Sequence, residues 1–170
     1  ESLGKEVTMV TPTRHPDFLN SLVPEGRKVW SYIDETSECD ALLSAADLFI
    51  CLDFNRLSRI DAMARILEKT QSAKVLIDHH LNPESGHFDI VISETEISSA
   101  CELLYQTLLQ QPGIDGDVAK LPKSTAVSLY AGMMTDTNNF ANSVFPGTFG
   151  MASALLAAGV DKIMLQNEIL

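Results

Sequence analysis

The sequence predicts an α/β domain whose mainly parallel sheet is flanked by helices. Two short apolar runs, residues 47–52 and 74–77, lead into Asp53 and Asp78, and a stretch with helical periodicity separates them. A β-α-β unit of this kind pairs its strands in parallel through a right-handed crossover, so both strands end at the same edge of the sheet. Open α/β sheets bind their ligands at that edge.

Composition is typical of one globular domain. The chain has 170 residues, of which 45% are hydrophobic, enough for one core. A net charge of −11 argues against binding to duplex DNA or an anionic membrane, since both attract Lys and Arg. Three cysteines without a C-x-x-C pair predict reduced thiols in a cytoplasmic protein. The sequence contains neither an apolar run of transmembrane length nor a signal-peptide pattern at its amino end.

The first 46 residues predict two strands and a weak helix. A helix ending at Gly4 is expected to lead into a strand over residues 7–11, followed by a loop over 12–24. Residues 27–32 form the second strand candidate, and residues 38–46 have a weak helical pattern.

The middle of the chain carries the β-α-β unit. Between its two strands, Ser58 is the predicted N-cap of a helix whose apolar residues recur at helical spacing. A further strand is predicted over residues 88–92.

The rest of the chain is predicted to be helical. Ser99 and Glu102 have capping-box spacing and open one helix, and Pro122 begins the next, which runs to Asp136. A loop over 114–121 connects them. Two last helices are predicted over residues 147–158 and 161–170, with Gly159 as the stop of the first and Asp161 as the N-cap of the second.

Carboxylate and imidazole groups collect at the ends of these elements: Asp53, Asp78, His79, His80 and Asp136. This mixture suits Mn²⁺ or a similar divalent ion better than calcium or structural zinc. Two such ions would polarise a phosphoryl group and activate water at neutral pH. The alternative explanation is structural: a strand ends in a polar loop, Asp53 caps a turn, and Asp136 satisfies N–H groups at a helix end.

The chain resembles the DHH phosphoesterases, and within them the bacterial oligoribonuclease and 3′-phosphoadenosine 5′-phosphate phosphatase branch. The resembling motifs follow the family's order along nearly the whole chain: Leu3-Gly4-Lys5-Glu6-Val7-Thr8, Pro16-Asp17-Phe18-Leu19, Leu52-Asp53 with Arg59, Ile77-Asp78-His79-His80, Ser98-Ser99-Ala100-Cys101-Glu102-Leu103, and Gly132-Met133-Met134-Thr135-Asp136-Thr137-Asn138-Asn139-Phe140.

The resemblance implies a role for each of the clustered residues. Asp53 looks like the carboxylate that bridges two Mn²⁺ ions, and His79 and Asp136 look like ligands of the second ion. His80 looks like the imidazole that contacts the substrate phosphate, with Asp78 orienting it. The resemblance implies Mn²⁺ as the metal, with Mg²⁺ or Co²⁺ as alternatives.

Other motif positions are less informative. Arg59 has no fixed role and is equally explained as an exposed helix charge, and Ser99 is better explained by helix capping than by catalysis. Ala100 stands where the family usually has threonine. Asn138 stands where it usually has glycine, and asparagine tolerates a positive φ better than other residues with a side chain.

One family motif has no counterpart in this sequence. The family's first motif, His-x-x-x-Asp-x-Asp, which supplies most ligands of the first ion, does not occur. The chain also starts at Glu1 without methionine and stops where the family's linker to its substrate domain begins. We therefore expect a partial DHH domain that lacks its first βα unit and the carboxy-terminal substrate domain, and is inactive alone.

The intact protein is expected to hydrolyse phosphoester bonds of short single-stranded oligonucleotides or of small nucleotides such as 3′-phosphoadenosine 5′-phosphate, and a homodimer is left open. Cyclic-dinucleotide phosphodiesterases and family II pyrophosphatases share the metal motifs and remain alternatives. A catalytically inactive nucleotide-binding or interaction domain is an alternative of another class. A plain nucleotide-binding α/β domain is disfavoured because no glycine-rich phosphate loop follows a strand.

Overall fold

The computed structural model describes residues 4–169, which form parallel sheets flanked by helices. Strand β1 (Met9–Thr11) pairs with β2 (Val29–Ser31). Strands β3 (Leu48–Leu52), β4 (Ala73–Asp78) and β5 (Ile90–Ser93) form a second sheet in that order. Every strand pair is parallel. The predicted α/β class and the parallel pairing of β3 with β4 are confirmed.

Residues 4–169 contain six α-helices. Their bounds are α1 (Thr36–Ser44), α2 (Ala64–Lys69), α3 (Ala100–Leu109), α4 (Lys123–Asp136), α5 (Pro146–Ala157) and α6 (Lys162–Ile169). Between residues 4 and 169 no single helix has the length and apolarity to cross a membrane, and α5 and α6 reach that threshold only as a pair bent by 109°.

The prediction of an α-helix beginning at Ser58 is wrong for the first half of that helix. A 3₁₀ segment, Leu57–Met63, precedes α2, and Asp61 interrupts it with φ +47° and ψ −129°. A left-handed φ cannot continue a right-handed helix, so the apolar periodicity spans two short pieces. Ser58 consequently caps no helix.

Two predicted loops contain further 3₁₀ segments, Asp17–Leu22 in the loop over 12–24 and Val118–Lys120 in the loop over 114–121. Short 3₁₀ turns close on local hydrogen bonds and leave little periodicity in the sequence. The helix predicted to precede Gly4 lies outside the described residues.

Two main hydrophobic clusters organise the molecule. One lies among the sheets, α1, α2 and the segment Leu57–Met63, with Phe49, Cys51 and Leu76 in its interior. The other lies among α3 to α6 and includes the predicted inner face of α4: Ala126, Leu129, Tyr130 and Met133. A smaller cluster joins α3 to β4 through Leu103 and Ile77. Because α3 contacts both β4 and α4, it fixes the position of α4 over the sheet.

Helices α3 and α4 approach closely at Gly132. A Cβ atom at this position would lie 2.2 Å from Cys101 Sγ, far inside van der Waals contact. Glycine therefore allows the two helices to pack at this distance.

A buried polar cluster ties α3 to α5. The Glu102 side chain, 2% exposed, accepts hydrogen bonds from the backbone N–H and hydroxyl of Ser98 and from the Thr148 hydroxyl. We call Ser98, Glu102 and Thr148 the Glu102 cluster.

The two faces of β3 differ in environment. Phe49 and Cys51 are buried, whereas Leu48, Ile50 and Leu52 on the opposite face are 50%, 59% and 45% exposed. Helix α3 covers the neighbouring strand β4 on that face but not β3. Among residues 4–169, β3 pairs with β4 alone, so its other edge is open.

Candidate metal centre

The parallel register of β3 and β4 brings two functional strand ends together. Leu52 is opposite Ile77, and the Asp53 N–H continues the ladder by donating to the Ile77 carbonyl at 3.1 Å. Asp53 therefore lies beside Asp78 and the histidine that follows it. The chain leaves β3 with Asp53 at φ +64°, a left-handed conformation that aspartate tolerates better than most side chains.

Helix α4 supplies the third chain segment, because it ends at Asp136. The turn after it has three consecutive left-handed residues, Asn138, Asn139 and Phe140, with φ +48°, +55° and +66°. Asn138 thus has the kind of positive φ that asparagine tolerates better than other residues with a side chain. Thr137, fully buried, stabilises this turn: its hydroxyl donates to the Met133 carbonyl and accepts the Phe140 N–H.

His79 lies between two carboxylates. Its Nε2 atom is 3.5 Å from Asp53 Oδ1 and 3.3 Å from Asp136 Oδ2. These distances exceed the roughly 2.7–2.9 Å of a charge-assisted hydrogen bond. They are close to the separation of about 3 Å between neighbouring ligands of one ion bound at roughly 2.1 Å. The spacing therefore fits atoms that share a cation better than atoms that bond to each other.

Asp78 orients the imidazole of His80 through two hydrogen bonds. Its Nδ1 lies 2.7 Å from Asp78 Oδ1, and its backbone N–H donates to Asp78 Oδ2. Because an ionised carboxylate only accepts, the proton of the imidazole lies on Nδ1, which leaves Nε2 free for a ligand. Asp78 is completely buried, His80 is partly exposed, and His80 Nδ1 also lies 3.8 Å from Asp53 Oδ1. We call Asp53, His79, His80 and Asp136 the metal-site cluster.

The electrostatics of this cluster favour a cation. Partial burial, followed by the nearby Asp136 carboxylate, raises the pKa of Asp53, and the neighbouring histidines offset part of this rise. Asp136 occupies the last residue of α4, where the helix dipole disfavours negative charge, and the last turn carries no basic residue. None of the ion pairs described for residues 4–169 joins a Lys or Arg to these two aspartates.

The donor set therefore fits a divalent metal ion. Ligand atoms of Asp53, His79 and His80 all lie within 4.8 Å of one another, and Asp136 adds a second carboxylate. Mixed carboxylate and imidazole donors are typical of sites for first-row transition ions.

Two further predicted residues lie apart from the metal-site cluster. Arg59 is exposed, and no hydrogen bond or ion pair of the described residues joins its side chain to the cluster. Ser99 is the N-cap of α3 and accepts the Glu102 N–H at 3.0 Å. The predicted capping box is only half formed, because the Glu102 carboxyl binds the Ser98 N–H instead of that of Ser99.

Sequence reasoning did not identify the residues that support these side chains. Thr137 stabilises the turn after Asp136, Thr148 contacts Glu102, and Asn55 and Glu84 join the loops after β3 and β4. The last two contacts link residues 26 and 27 positions apart, a separation at which local sequence patterns carry no signal.

Comparison with known proteins gives a consistent result. The family model "DHH family, N-terminal domain" matches residues 3–133. The cyclic-di-AMP phosphodiesterase GdpP of Bacillus subtilis is 28% identical over 164 residues, 94% of this chain and 24% of that protein. The cyclic-di-AMP phosphodiesterase PdeA of Listeria monocytogenes is 34% identical over 95 residues, 55% of this chain and 14% of that protein.

A solved structure extends the likeness to the fold. An exopolyphosphatase-related protein from Bacteroides fragilis is 37% identical, with a TM-score of 0.88 over 99% of this chain and 48% of that one. The chain thus spans about a quarter or less of the two phosphodiesterases and about half of the solved structure. Since the family model covers most of the chain, this protein belongs to the DHH family.

Proposed function

We propose that the protein containing this chain is a metal-dependent phosphoesterase that hydrolyses short single-stranded oligonucleotides or small nucleotides such as 3′-phosphoadenosine 5′-phosphate. The observation that supports this most is the position of His79 Nε2 between Asp53 and Asp136, at 3.5 and 3.3 Å. Membership of the DHH family agrees with it. The net charge of −11 favours a small substrate over duplex DNA.

Each side chain of the cluster has a proposed task. Asp53, His79 and Asp136 would hold Mn²⁺, with Asp53 shared between the two ions of the site and His79 and Asp136 serving the second. When bound, the metal would supply positive charge at the phosphoryl oxygens and lower the pKa of water. His80 would bind the substrate phosphate as an imidazolium that donates its Nε2–H to a phosphate oxygen, while its Nδ1–H donates to Asp78 Oδ1, 2.7 Å away, and holds the ring in place.

The remaining ligands of the first ion are proposed to come from a βα unit that precedes residue 1 in the intact protein. The open edge of β3 and its exposed face of Leu48, Ile50 and Leu52 support this, because a further strand and helix would cover both. A separate carboxy-terminal domain is proposed to hold the substrate. We also propose a cytoplasmic location, in agreement with the three free cysteines.

Hydrolysis of a cyclic dinucleotide is the second candidate function. Two of the relatives described above are cyclic-di-AMP phosphodiesterases, although this chain covers 24% and 14% of their lengths. A cyclic dinucleotide contains the same phosphodiester group as a linear one, so the same cluster would serve both reactions.

The test uses the full-length protein with a linear diadenylate, 3′-phosphoadenosine 5′-phosphate, cyclic di-AMP and pyrophosphate, each with Mn²⁺, Mg²⁺ or Co²⁺. We expect fastest turnover of the linear dinucleotide with Mn²⁺ and none with EDTA. Preferred turnover of cyclic di-AMP selects the second candidate. Binding without turnover of any substrate refutes the phosphoesterase and leaves a nucleotide-binding domain. Asp161→Ala, which removes an exposed carboxylate at the start of α6, is the matched control.

A further inference from the structure

The loops that follow β3 and β4 are joined by hydrogen bonds in both directions. The Asn55 side-chain amide donates to the Leu81 carbonyl at 2.7 Å, and the Glu84 N–H donates to the Asn55 carbonyl at 2.8 Å. The Glu84 side chain then accepts the Leu57 N–H at 3.1 Å. We call these three hydrogen bonds the loop clasp.

The loop clasp lies immediately next to the residues of the metal-site cluster. Asn55 is two residues after Asp53, and Leu81 directly follows His80. Both loops contain a left-handed residue other than glycine, Asp53 at φ +64° and Asn82 at φ +56°. Such conformations cost free energy and persist only where surrounding contacts impose them. The clasp provides such contacts.

The buried side chain of Asn55 is poorly suited to stabilising the fold alone, because one of its polar atoms is unpaired. The residue is 9% exposed, and its Oδ1 has no hydrogen-bond partner among residues 4–169. An unpaired buried acceptor is unfavourable for folding. The hydrogen bond described for this side-chain amide is its donation to the Leu81 carbonyl, which holds the chain directly after His80.

We propose that Asn55 and Glu84 are positioning residues that fix the separation between Asp53 and the His79-His80 pair, and thereby set the affinity for the divalent metal. The inference rests on the proposed function. Neither side chain needs to touch the ion, because each acts through the backbone of a loop that carries a ligand. Residues that orient metal ligands in this way typically change metal affinity by roughly 10–100-fold when mutated.

Two substitutions at Glu84 distinguish the effect of its negative charge on Mn²⁺ affinity from the effect of its hydrogen bond to Leu57. Glu84→Gln removes the negative charge but keeps an oxygen that can accept the Leu57 N–H, whereas Glu84→Ala removes both. If the clasp acts by geometry, Glu84→Gln binds Mn²⁺ like the wild type, and Glu84→Ala binds it roughly 10-fold more weakly.

Asn55→Asp gives an independent test with the opposite charge effect. The new carboxylate cannot donate to the Leu81 carbonyl, so the clasp opens, yet it adds negative charge next to the metal site. A charge effect would strengthen Mn²⁺ binding, and loss of positioning would weaken it. We expect Mn²⁺ affinity at least as low as that of Glu84→Ala.

The measurements are Mn²⁺ affinity by calorimetry, hydrogen exchange of the amides of residues 79–84, and urea unfolding, all on the full-length protein. Asp161→Ala is the control, since it also removes a carboxylate that accepts a backbone N–H, at 3.0 Å, but in α6. We expect faster exchange and weaker Mn²⁺ binding in Glu84→Ala, with a stability loss no larger than that of the control.

Each contrary outcome has one meaning. Wild-type affinity in Glu84→Ala, or equally weak binding in Glu84→Gln, overturns the positioning role. Failure of the wild-type protein to bind Mn²⁺ refutes the proposed metal site instead. In that case unchanged exchange of residues 79–84 in Glu84→Ala also rejects the clasp, whereas faster exchange keeps it as a link between the two loops.

Discussion

The metal-site cluster and the Glu102 cluster both combine carboxylates with polar partners, but they satisfy them differently. Glu102 is 2% exposed, and three protein donors bind its carboxyl group. The side chains of Asp53 and Asp136 are 56% and 40% exposed, and their contacts with His79 are longer than good hydrogen bonds. The first arrangement stabilises a fold, and the second leaves ligand atoms available. The difference shows that a carboxylate's partners identify its role better than its residue type does.

The largest expected effect comes from removing the imidazole between the two carboxylates. His79→Ala should lower phosphoesterase activity of the full-length protein by roughly 1,000-fold, because bound metal contributes several kcal/mol to such reactions. Urea unfolding of the metal-free protein should be nearly unchanged, since this cluster does not stabilise the fold. Initial rates with Mn²⁺ and a linear dinucleotide test this, and a loss below tenfold would contradict the proposed ligand.

Glu102→Ala, unlike His79→Ala, should lower the stability of the fold. It leaves the buried hydroxyls of Ser98 and Thr148 without their acceptor, so we expect a loss of about 3 kcal/mol in the free energy of unfolding. Glu102→Gln keeps an acceptor and should lose less. Urea denaturation measures both, and equal stability of Glu102→Ala and wild type would show that the cluster contributes nothing.

One added methyl group at the contact between α3 and α4 should lower the free energy of unfolding. Gly132→Ala places a Cβ 2.2 Å from Cys101 Sγ, and the resulting overpacking should cost about 1–3 kcal/mol. The double variant Gly132→Ala/Cys101→Ala removes the sulfur and should recover most of this loss. If thermal unfolding shows that the single and double variants are equally destabilised, the loss of stability does not come from the contact with Cys101.

The smallest effect concerns Asp53. Its raised pKa means that the folded protein favours the protonated form, so this contribution to stability is present at low pH and is lost as pH rises through the raised value. Asp53→Asn should therefore raise the melting temperature of the metal-free protein slightly at pH 7 and leave it unchanged near pH 3. A lower melting temperature at pH 7 would contradict the unfavourable environment inferred for the ionised carboxylate.

Local patterns predicted the parts of the molecule that depend on local physics. The apolar runs predicted β3 and β4, and the rule for parallel strands was enough to place Asp53 beside Asp78 and His79. The inner face of α4 followed from its periodicity. The resemblance added the roles of the clustered residues.

Contacts distant in sequence were not predictable. The Thr148 hydroxyl reaches Glu102 across 46 positions, and Glu84 accepts the Leu57 N–H across 27. Asp61 also escaped prediction, because a left-handed residue inside an otherwise helical pattern leaves the pattern intact. These features depend on tertiary packing, which a single sequence does not display.

The uncovered face of β3 has a consequence for handling the isolated chain. An edge strand that presents Leu48, Ile50 and Leu52 to water is a template for another strand, and no charged side chain interrupts it. Concentrated solutions of residues 1–170 should therefore form sheet-rich aggregates, in spite of a net charge of −11. A lysine in place of Ile50 would act as a gatekeeper and should improve the yield of monodisperse material.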